Sequence, residues 1–198
     1  MIVVDTETTG VDPNKHSIVS IGAVELENPN NTFYGECQIW EGAEITKEAL
    51  EVNGFSKEDI TDPSKQTLEI LMRGFLNWSQ SVGNRMFAGR NVAEFDLQFL
   101  RTSAYRYSLN WDIARRTIDD HTLTYMHMIK RGETPPTANK RSDIDSNFTQ
   151  KYVGIPEVPQ PHNALTDAKW TAEAISRLLF DEPLLDEYKK YPIPWLVE

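Results

Sequence analysis

The fold is decided by the stretch Ile2-Val3-Val4-Asp5-Thr6-Glu7-Thr8-Thr9-Gly10. Its β-branched apolar start predicts a buried strand, and its polar end with a glycine predicts a break after the strand. Because side chains alternate along a strand, Asp5 and Glu7 point to the same side and share one small volume. Protonation, a basic partner or a divalent cation would relieve their repulsion. Surface strands also commonly end in acidic residues, so this pair alone does not assign a chemistry.

The elements that follow predict an α/β fold. Strand patterns predict a hairpin formed by residues 17–26 and 32–39 with a turn at residues 28–31. Apolar residues at helical spacing predict three helices, at residues 65–81, 95–107 and 164–180. Short strands are predicted between these helices, at residues 86–88 and 116–119. The order βββ-α-β-α-β-α predicts a mixed five-stranded sheet, three antiparallel N-terminal strands and then parallel strands, flanked by helices.

Composition indicates one soluble domain with a short tail. The chain has 198 residues, of which 39% are hydrophobic and 25% charged. It contains no apolar run long enough for a membrane span and no basic N-terminal flank, so we expect a cytoplasmic protein without a membrane partner. With Cys37 as the only cysteine, any metal site must use oxygen and imidazole ligands. We expect a domain at residues 1–180 and a tail at residues 181–198 that packs on the domain or on a partner.

The charge distribution bears on nucleic-acid binding. The net charge of −10 argues against a protein that grips long polyanions. The middle of the chain is nevertheless basic: residues 85–141 carry 10 basic and 6 acidic side chains, a net charge of +4. This part of the sequence is either a solvated mixed surface or a rim that faces phosphate.

Two more acidic positions attract attention because of their neighbours. Asp96 begins a predicted helix directly after the loop at residues 89–94, where an acidic residue also favours the helix N-terminus electrostatically. Asp167 follows His162 by five residues, and three prolines at positions 156, 159 and 161 keep the preceding chain extended. His162 and Asp167 therefore form either a base-and-ligand pair or a helix-capping arrangement.

Taken together, these segments resemble the DEDDh-type 3′–5′ exonucleases. This branch of the ribonuclease H-like superfamily includes the epsilon proofreading subunit, ribonuclease T and oligoribonuclease. Its first motif, D-x-E-x-T-G, matches residues 5–10, and its second matches residues 89–100 with Asp96 at the metal-ligand position. Its third motif, H-x-A-x-x-D-A, matches residues 162–168. The resemblance runs from residue 2 to about residue 180.

The resemblance implies a metal-dependent nuclease. Four carboxylates would hold two Mg²⁺ or Mn²⁺ ions, with Asp5 between the ions: Asp5, Glu7, Asp96 and Asp167. His162 would take the proton from the attacking water, and nucleoside 5′-monophosphates would leave from the 3′ end. Substrate contacts are expected from four further residues, Thr6, Thr8, Asn91 and Phe95. Phe95 also lies on the apolar stripe with Phe99, which favours a core position for this residue.

Departures from the family pattern concern the substrate. Asn91 stands five residues before Asp96, as in oligoribonuclease-like members. Many other members have histidine at this position. Arg90 beside it has no assigned contact, and residues 132–147 form a polar loop in a variable part of the family. Asp119 is expected to support the site from behind or to serve the fold. The acidity of the chain favours single-stranded ends or short oligonucleotides, and the choice between RNA and DNA stays open.

Two other interpretations remain. The first motif is close to the D-x-D-x-T pattern of phosphatases that form an aspartyl phosphate, although Glu7 and the histidine motif argue against it. A catalytically weak exonuclease-like module associated with a polymerase or another nuclease is the non-enzymatic alternative. Such modules usually lack one or more of the carboxylates, whereas this sequence has all four and the histidine. A homodimer and a polymerase-type partner are both open.

Overall fold

A computed structural model describes residues 1–113, 116–157 and 161–197. One mixed sheet has the strand order β3-β2-β1-β4-β5. The strands are β1 (Ile2–Thr8), β2 (Ile18–Glu25), β3 (Asn28–Glu36), β4 (Phe87–Gly89) and β5 (Thr117–Asp119). The first three are antiparallel, whereas β4 is parallel to β1 and β5 is parallel to β4. The α/β fold predicted from the sequence is therefore confirmed.

Seven α-helices lie within the described ranges. They are α1 (Lys47–Asn53), α2 (Lys57–Thr61), α3 (Leu68–Ser81), α4 (Asp96–Arg106), α5 (Asp120–Lys130), α6 (Ser146–Val153) and α7 (Ala164–Phe180). A small hairpin joins β6 (Thr137–Ala138) to β7 (Arg141–Ser142) before α6. Two single 3₁₀ turns, Asp186–Tyr188 and Pro194–Leu196, follow α7. No helix in these ranges combines the length and apolar character needed to cross a bilayer.

The β2–β3 hairpin turns two residues earlier than predicted. Residues 26–27 form the turn, and residues 28–31, predicted as the turn, begin β3. Pro29 fits there because β3 is the edge strand, where a missing N–H leaves no ladder partner unsatisfied. The run of Asn and Pro therefore indicated an edge strand rather than a turn.

Four helices and one hairpin were not predicted. Helices α1 and α2 are too short for a periodic pattern, and each begins at a hydroxyl cap, Thr46 and Ser56. The segment predicted as a polar loop, residues 132–147, contains the β6–β7 hairpin and the start of α6. Of the predicted features, Pro159 before His162 and the last tail residue, Glu198, lie outside the described residues.

Both faces of the sheet are covered, and β1 contributes to both. Ile2 and Val4 pack in the core beneath α3 and α4. Val3 points the opposite way and packs with Ala168 and Ile175 of α7. Alternation along the strand continues this pattern, so Asp5 and Glu7 lie on the α7 face and Thr6 on the α4 face. Helices α4 and α7, which belong to the second and third motifs, thus approach β1 from opposite faces of the sheet.

The C-terminal segment is attached to α7 through a buried ion pair. Glu173 and Arg177 are both 0% exposed, with Nε of Arg177 2.7 Å from Oε1 of Glu173. Arg177 also donates to the carbonyl oxygens of Tyr188 and Tyr191, at 2.9 and 3.1 Å. Glu173 accepts the N–H groups of residues 184 and 185, both at 2.8 Å. These contacts hold residues 184–191 against the helix.

Candidate active site

The first two carboxylates lie inside β1. The strand extends to Thr8, beyond the three apolar residues that predicted it, so Asp5 and Glu7 are fixed by ladder hydrogen bonds rather than by a loop. Glu7 is 8% exposed and Asp5 is partly buried. A regular strand gives both side chains little freedom, which suits groups that share one ligand.

Helix α7 brings Asp167 to these carboxylates because of a glycine in β2. Gly22 pairs with Asp5 across the sheet. A Cβ atom at Gly22 would lie 2.2 Å from the carbonyl carbon of Ala164 and from the nitrogen of Leu165. The first turn of α7 therefore rests directly on the backbone of β2. Asp167, 8% exposed, lies in that first turn.

Asp96 reaches the site from the other face and is held by the first motif. It begins α4 and is 3% exposed. The backbone N–H and the hydroxyl of Thr6 both donate to its Oδ1, at 2.9 and 2.8 Å. Thr6, predicted as a substrate contact, therefore orients a carboxylate. The sequence signal for this contact is the alternation that places Thr6 on the α4 side of β1.

His162 contacts Asp167 at the entrance to α7. Its Nδ1 lies 3.1 Å from Oδ2 of Asp167. Its backbone N–H donates to the carbonyl oxygen of Val52 at 3.2 Å, so the C-terminal end of α1 anchors the loop that carries the imidazole. Ligand atoms of Glu7, His162 and Asp167 all lie within 4.8 Å of one another. These distances are compatible with a shared cation.

Electrostatics of the cluster favour proton or cation binding. Burial raises the pKa of Asp5 well above its ordinary value, and repulsion from Asp96, Glu7 and Asp167 adds to the rise. Burial, then repulsion from Asp167 and Asp96, raises the pKa of Glu7 to about 7. Burial also raises the pKa of Asp167, although the contact with His162 opposes the shift. Without a counter-ion, ionising all four carboxylates is unfavourable.

A cavity of about 340 Å³ opens beside Glu7, between β1 and α1. Thr6, Thr8 and Phe95 line it together with Val52 of α1. Phe95 also packs against Phe99, with ring centroids 5.1 Å apart, as its place on the apolar stripe predicted. The fourth predicted substrate contact, Asn91, lies instead at a separate cavity with Arg90 and His121. Asn91 has a φ of 48°, in the left-handed region that asparagine tolerates better than most residues.

Sequence reasoning missed an ion pair behind the carboxylates. Arg90 donates to Oδ2 of Asp120 at 2.9 Å, to the hydroxyl of Thr149 at 3.2 Å and to the carbonyl oxygen of Ile144 at 2.6 Å. Burial raises the pKa of Asp120 to about 6, against the opposing effect of Arg90. Both side chains line a cavity of about 300 Å³ that also contacts Asp5 and Asp167. The sequence features that could have indicated this ion pair are Arg90 in the second motif and the acidic pair of Asp119, which ends β5, and Asp120, which begins α5.

Asp119 serves the fold. Its carboxylate accepts the backbone N–H of His121 at 3.0 Å and caps α5. Of the two roles expected for Asp119, supporting the site or serving the fold, this contact agrees with the second. The acidic residue that turns toward the site is the next one, Asp120.

Fold and site together define a nuclease domain of the ribonuclease H-like superfamily. A sequence model of the exonuclease family that is named after ribonuclease T matches residues 2–175. The chain therefore belongs to this family, and within it to the DEDDh-type 3′–5′ exonucleases. The resemblance drawn from the three motifs is confirmed.

Two curated relatives are DNA polymerase III proteins. The PolC-type DNA polymerase III of Thermotoga petrophila is 28% identical over 180 residues, covering 90% of this chain and 12% of the polymerase. The epsilon subunit of DNA polymerase III of Rickettsia typhi is 34% identical over 101 residues, covering 50% of this chain and 42% of the subunit. The chain thus spans less than half the length of each of these relatives.

Solved structures share the fold at lower identity. Exonuclease I of E. coli in complex with a dT13 oligonucleotide superposes with a TM-score of 0.71 at 17% identity, covering 89% of this chain and 40% of that protein. Cell-death related nuclease 4 gives a TM-score of 0.70 at 15% identity, covering 92% of this chain and 64% of the nuclease.

Proposed function

We propose that this chain hydrolyses single-stranded or short nucleic acid from the 3′ end and releases nucleoside 5′-monophosphates. The observation that carries the proposal is the approach of Asp5, Glu7, Asp96 and Asp167 to one end of β1, beside an imidazole. Among the described residues, the group of acidic and histidine side chains close enough to share a metal ion is Glu7, His162 and Asp167. Membership of the exonuclease family supports the same reaction.

The residues fit two divalent cations. Carboxylate oxygens are the ligands that Mg²⁺ and Mn²⁺ prefer, and the raised pKa values of Asp5 and Glu7 indicate a site short of positive charge. Asp5, Glu7, Asp96 and Asp167 would hold these ions. The chemistry that such ions supply when bound is a lowered pKa for water and stabilisation of the leaving 3′ oxygen.

His162 serves as the general base. The contact between its Nδ1 and Asp167 leaves Nε2 to accept the proton of the attacking water. Asp167 thereby orients the imidazole, while the carbonyl oxygen of Val52 fixes the backbone of the same loop. The general base thus has a fixed tautomer and a fixed anchor.

The terminal nucleotide occupies the cavity between β1 and α1. Phe95 and Val52 supply apolar walls for a base, and Thr8 supplies a hydroxyl at the edge near Glu7. This cavity of about 340 Å³ lies directly beside Glu7, where a terminal nucleotide would meet the carboxylates. The acidic net charge gives no broad phosphate-binding surface, which supports single-stranded or short substrates.

Relatives suggest the order in which substrates should be tried. The Exonuclease I structure holds a dT13 oligonucleotide, and the curated relatives are DNA polymerase proteins. Single-stranded DNA is therefore the first substrate, with RNA of the same sequence as the second. The match to a segment of a PolC-type polymerase also favours a second role, as a proofreading module that acts beside a polymerase.

The test is a digestion of 5′-labelled DNA and RNA strands, each with a free or a blocked 3′ end, with Mg²⁺ or Mn²⁺. We expect a ladder that shortens from free 3′ ends only and disappears with a chelator and in the Asp167→Asn variant. A melting curve of that variant shows whether it is folded. A wild-type protein that yields no metal-dependent ladder on either sugar would contradict the proposal and favour a binding module.

A further inference from the structure

Three residues form a row across the N-terminal strands. Asp5 of β1 pairs with Gly22 of β2, and Gly22 pairs with Tyr34 of β3. Residues paired in this way point to the same face of a sheet, so Asp5 and Tyr34 lie on either side of Gly22 on one face. Because Gly22 has no side chain, the first turn of α7 occupies the space between them.

Tyr34 spans the gap between the edge strand and α7. Its hydroxyl donates to Oε1 of Glu36 at 2.6 Å and accepts from Nδ2 of Asn163 at 3.1 Å. Lys65 in turn contacts Glu36 at 2.7 Å. Lys65 thus holds the Glu36 carboxylate where it accepts the hydroxyl proton of Tyr34. The oxygen of that hydroxyl is then available to accept the N–H of Asn163.

Asn163 uses every part of its side chain and its backbone at the site. Its Oδ1 accepts the N–H of Thr166 at 3.2 Å and caps α7, while Nδ2 donates to Tyr34. Its backbone N–H donates to Oδ2 of Asp167 at 3.1 Å, the same oxygen that contacts His162. The side-chain contacts of Asn163 therefore hold in place the backbone N–H that donates to Asp167, on the oxygen that Asp167 shares with His162.

We propose that Tyr34 is a positioning residue for the His162–Asp167 pair and that it acts through the side-chain amide of Asn163. This inference rests on the proposed function. Tyr34 lines none of the walls of the nucleotide cavity described above. Loss of its hydroxyl would free the amide to rotate away from its capping orientation, and Asp167 would lose a fixed neighbour on the oxygen that it shares with His162. Binding of the terminal nucleotide would be left unchanged.

The first test removes the hydroxyl alone. We expect Tyr34→Phe to lower kcat on single-stranded DNA about 10-fold, with KM within about twofold of the wild-type value, and to weaken Mn²⁺ binding in calorimetry by a similar factor. Tyr105→Phe is the matched control, since Tyr105 is 63% exposed on α4. Its kcat and its Mn²⁺ affinity should equal those of the wild-type protein. Wild-type kcat and wild-type Mn²⁺ affinity in Tyr34→Phe would overturn the proposal.

The second test asks whether Tyr34 acts through Asn163. Serine still caps a helix but is too short to reach the Tyr34 hydroxyl, so Asn163→Ser should reproduce the losses of Tyr34→Phe. The double variant should then be no worse than either single variant. Additive losses would show that Tyr34 acts by another route and would overturn the proposal. If the wild-type protein digests no nucleic acid, the proposed function fails, while the Mn²⁺ affinities of the same variants still test Tyr34.

Discussion

Gly22 and Ala164 are in backbone contact: no side chain fits between β2 and the first turn of α7. Gly22→Ala would force the helix away from the sheet and move Asp167 with it. We expect a loss of about 2 kcal/mol in the free energy of unfolding and a loss of most nuclease activity. Chemical denaturation and the digestion assay measure the two effects.

Gly83→Ala is the control for this substitution. Nothing lies within 4 Å of a Cβ atom at Gly83, so stability and activity should stay at wild-type values. A Gly22→Ala protein with wild-type activity would show that α7 does not depend on this close approach.

The metal-free carboxylate cluster opposes folding, so removing one charge should separate activity from stability. Asp5→Asn should lower turnover about a thousand-fold or more, because Asp5 is one of the carboxylates that would hold the cations. The same variant should melt at a higher temperature than the wild-type protein in EDTA, because Asp5 is repelled by three neighbours. Asp143→Asn, an equal charge change on an exposed residue, should do neither. A lower melting temperature of Asp5→Asn in EDTA would contradict this account.

The pH dependence of stability follows from Glu7. Its pKa is raised from 4.5 to about 7 in the folded protein, so between these values the folded state binds a proton that the unfolded chain releases. The metal-free protein should therefore lose stability as pH rises from about 4.5 to 7, by on the order of 2 kcal/mol from this group. Urea denaturation in EDTA at pH 5 and pH 8 measures the difference. Glu7→Gln should reduce it, and an unchanged difference in that variant would rule out Glu7 as its source.

Phe95 lines the cavity assigned to the terminal nucleotide, so its replacement should affect binding more than chemistry. We expect Phe95→Leu to raise KM about 5- to 20-fold, because stacking on a base contributes about 1–3 kcal/mol. Its kcat should change by less than about threefold, since the Phe95 ring has no group that could bind a cation or transfer a proton. Phe180→Leu, at an exposed ring at the end of α7, is the control. A selective fall in kcat would place the nucleotide elsewhere.

The buried pair of Glu173 and Arg177 should be costly to break. Glu173→Ala leaves a fully buried guanidinium without its carboxylate, and we expect a loss of about 3–5 kcal/mol. The exposed pair of Asp186 and Lys189 gives the comparison, since Asp186→Ala should leave the denaturation midpoint close to the wild-type value. Denaturant titration distinguishes the two. Similar losses in both variants would mean that the buried pair contributes no more than a surface pair.

The resemblance to the exonuclease family predicted the four carboxylates as one cluster, and a local rule places each of them within its element. Alternation in a strand places Asp5 and Glu7, and a helix start places Asp96 and Asp167. Contacts between distant segments were not predictable in this way. The partners of Arg90 come from α5, α6 and the loop before α6, two of which are helices that periodicity missed.

Tyr34 shows the same limit from another direction. Its strand was predicted, but its partner Asn163 lies 129 residues away. The strand register that brings them together depends on a turn at residues 26–27 that the sequence did not indicate. Strand register and helix docking depend on the whole sheet, so a short sequence motif does not predict them.

The polar contacts by which α7 holds the C-terminal segment do not depend on the side chains of that segment. Arg177 and Glu173 bind carbonyl oxygens and amide groups of residues 184–191, not their side chains. Nearly every amino acid offers the same main-chain atoms, so substitutions in the segment keep the anchor, whereas substitutions at the two helix positions lose it. Relatives that preserve the path of this segment can therefore diverge in its residues, and the glutamate and arginine on the helix mark that path in an alignment better than the segment itself.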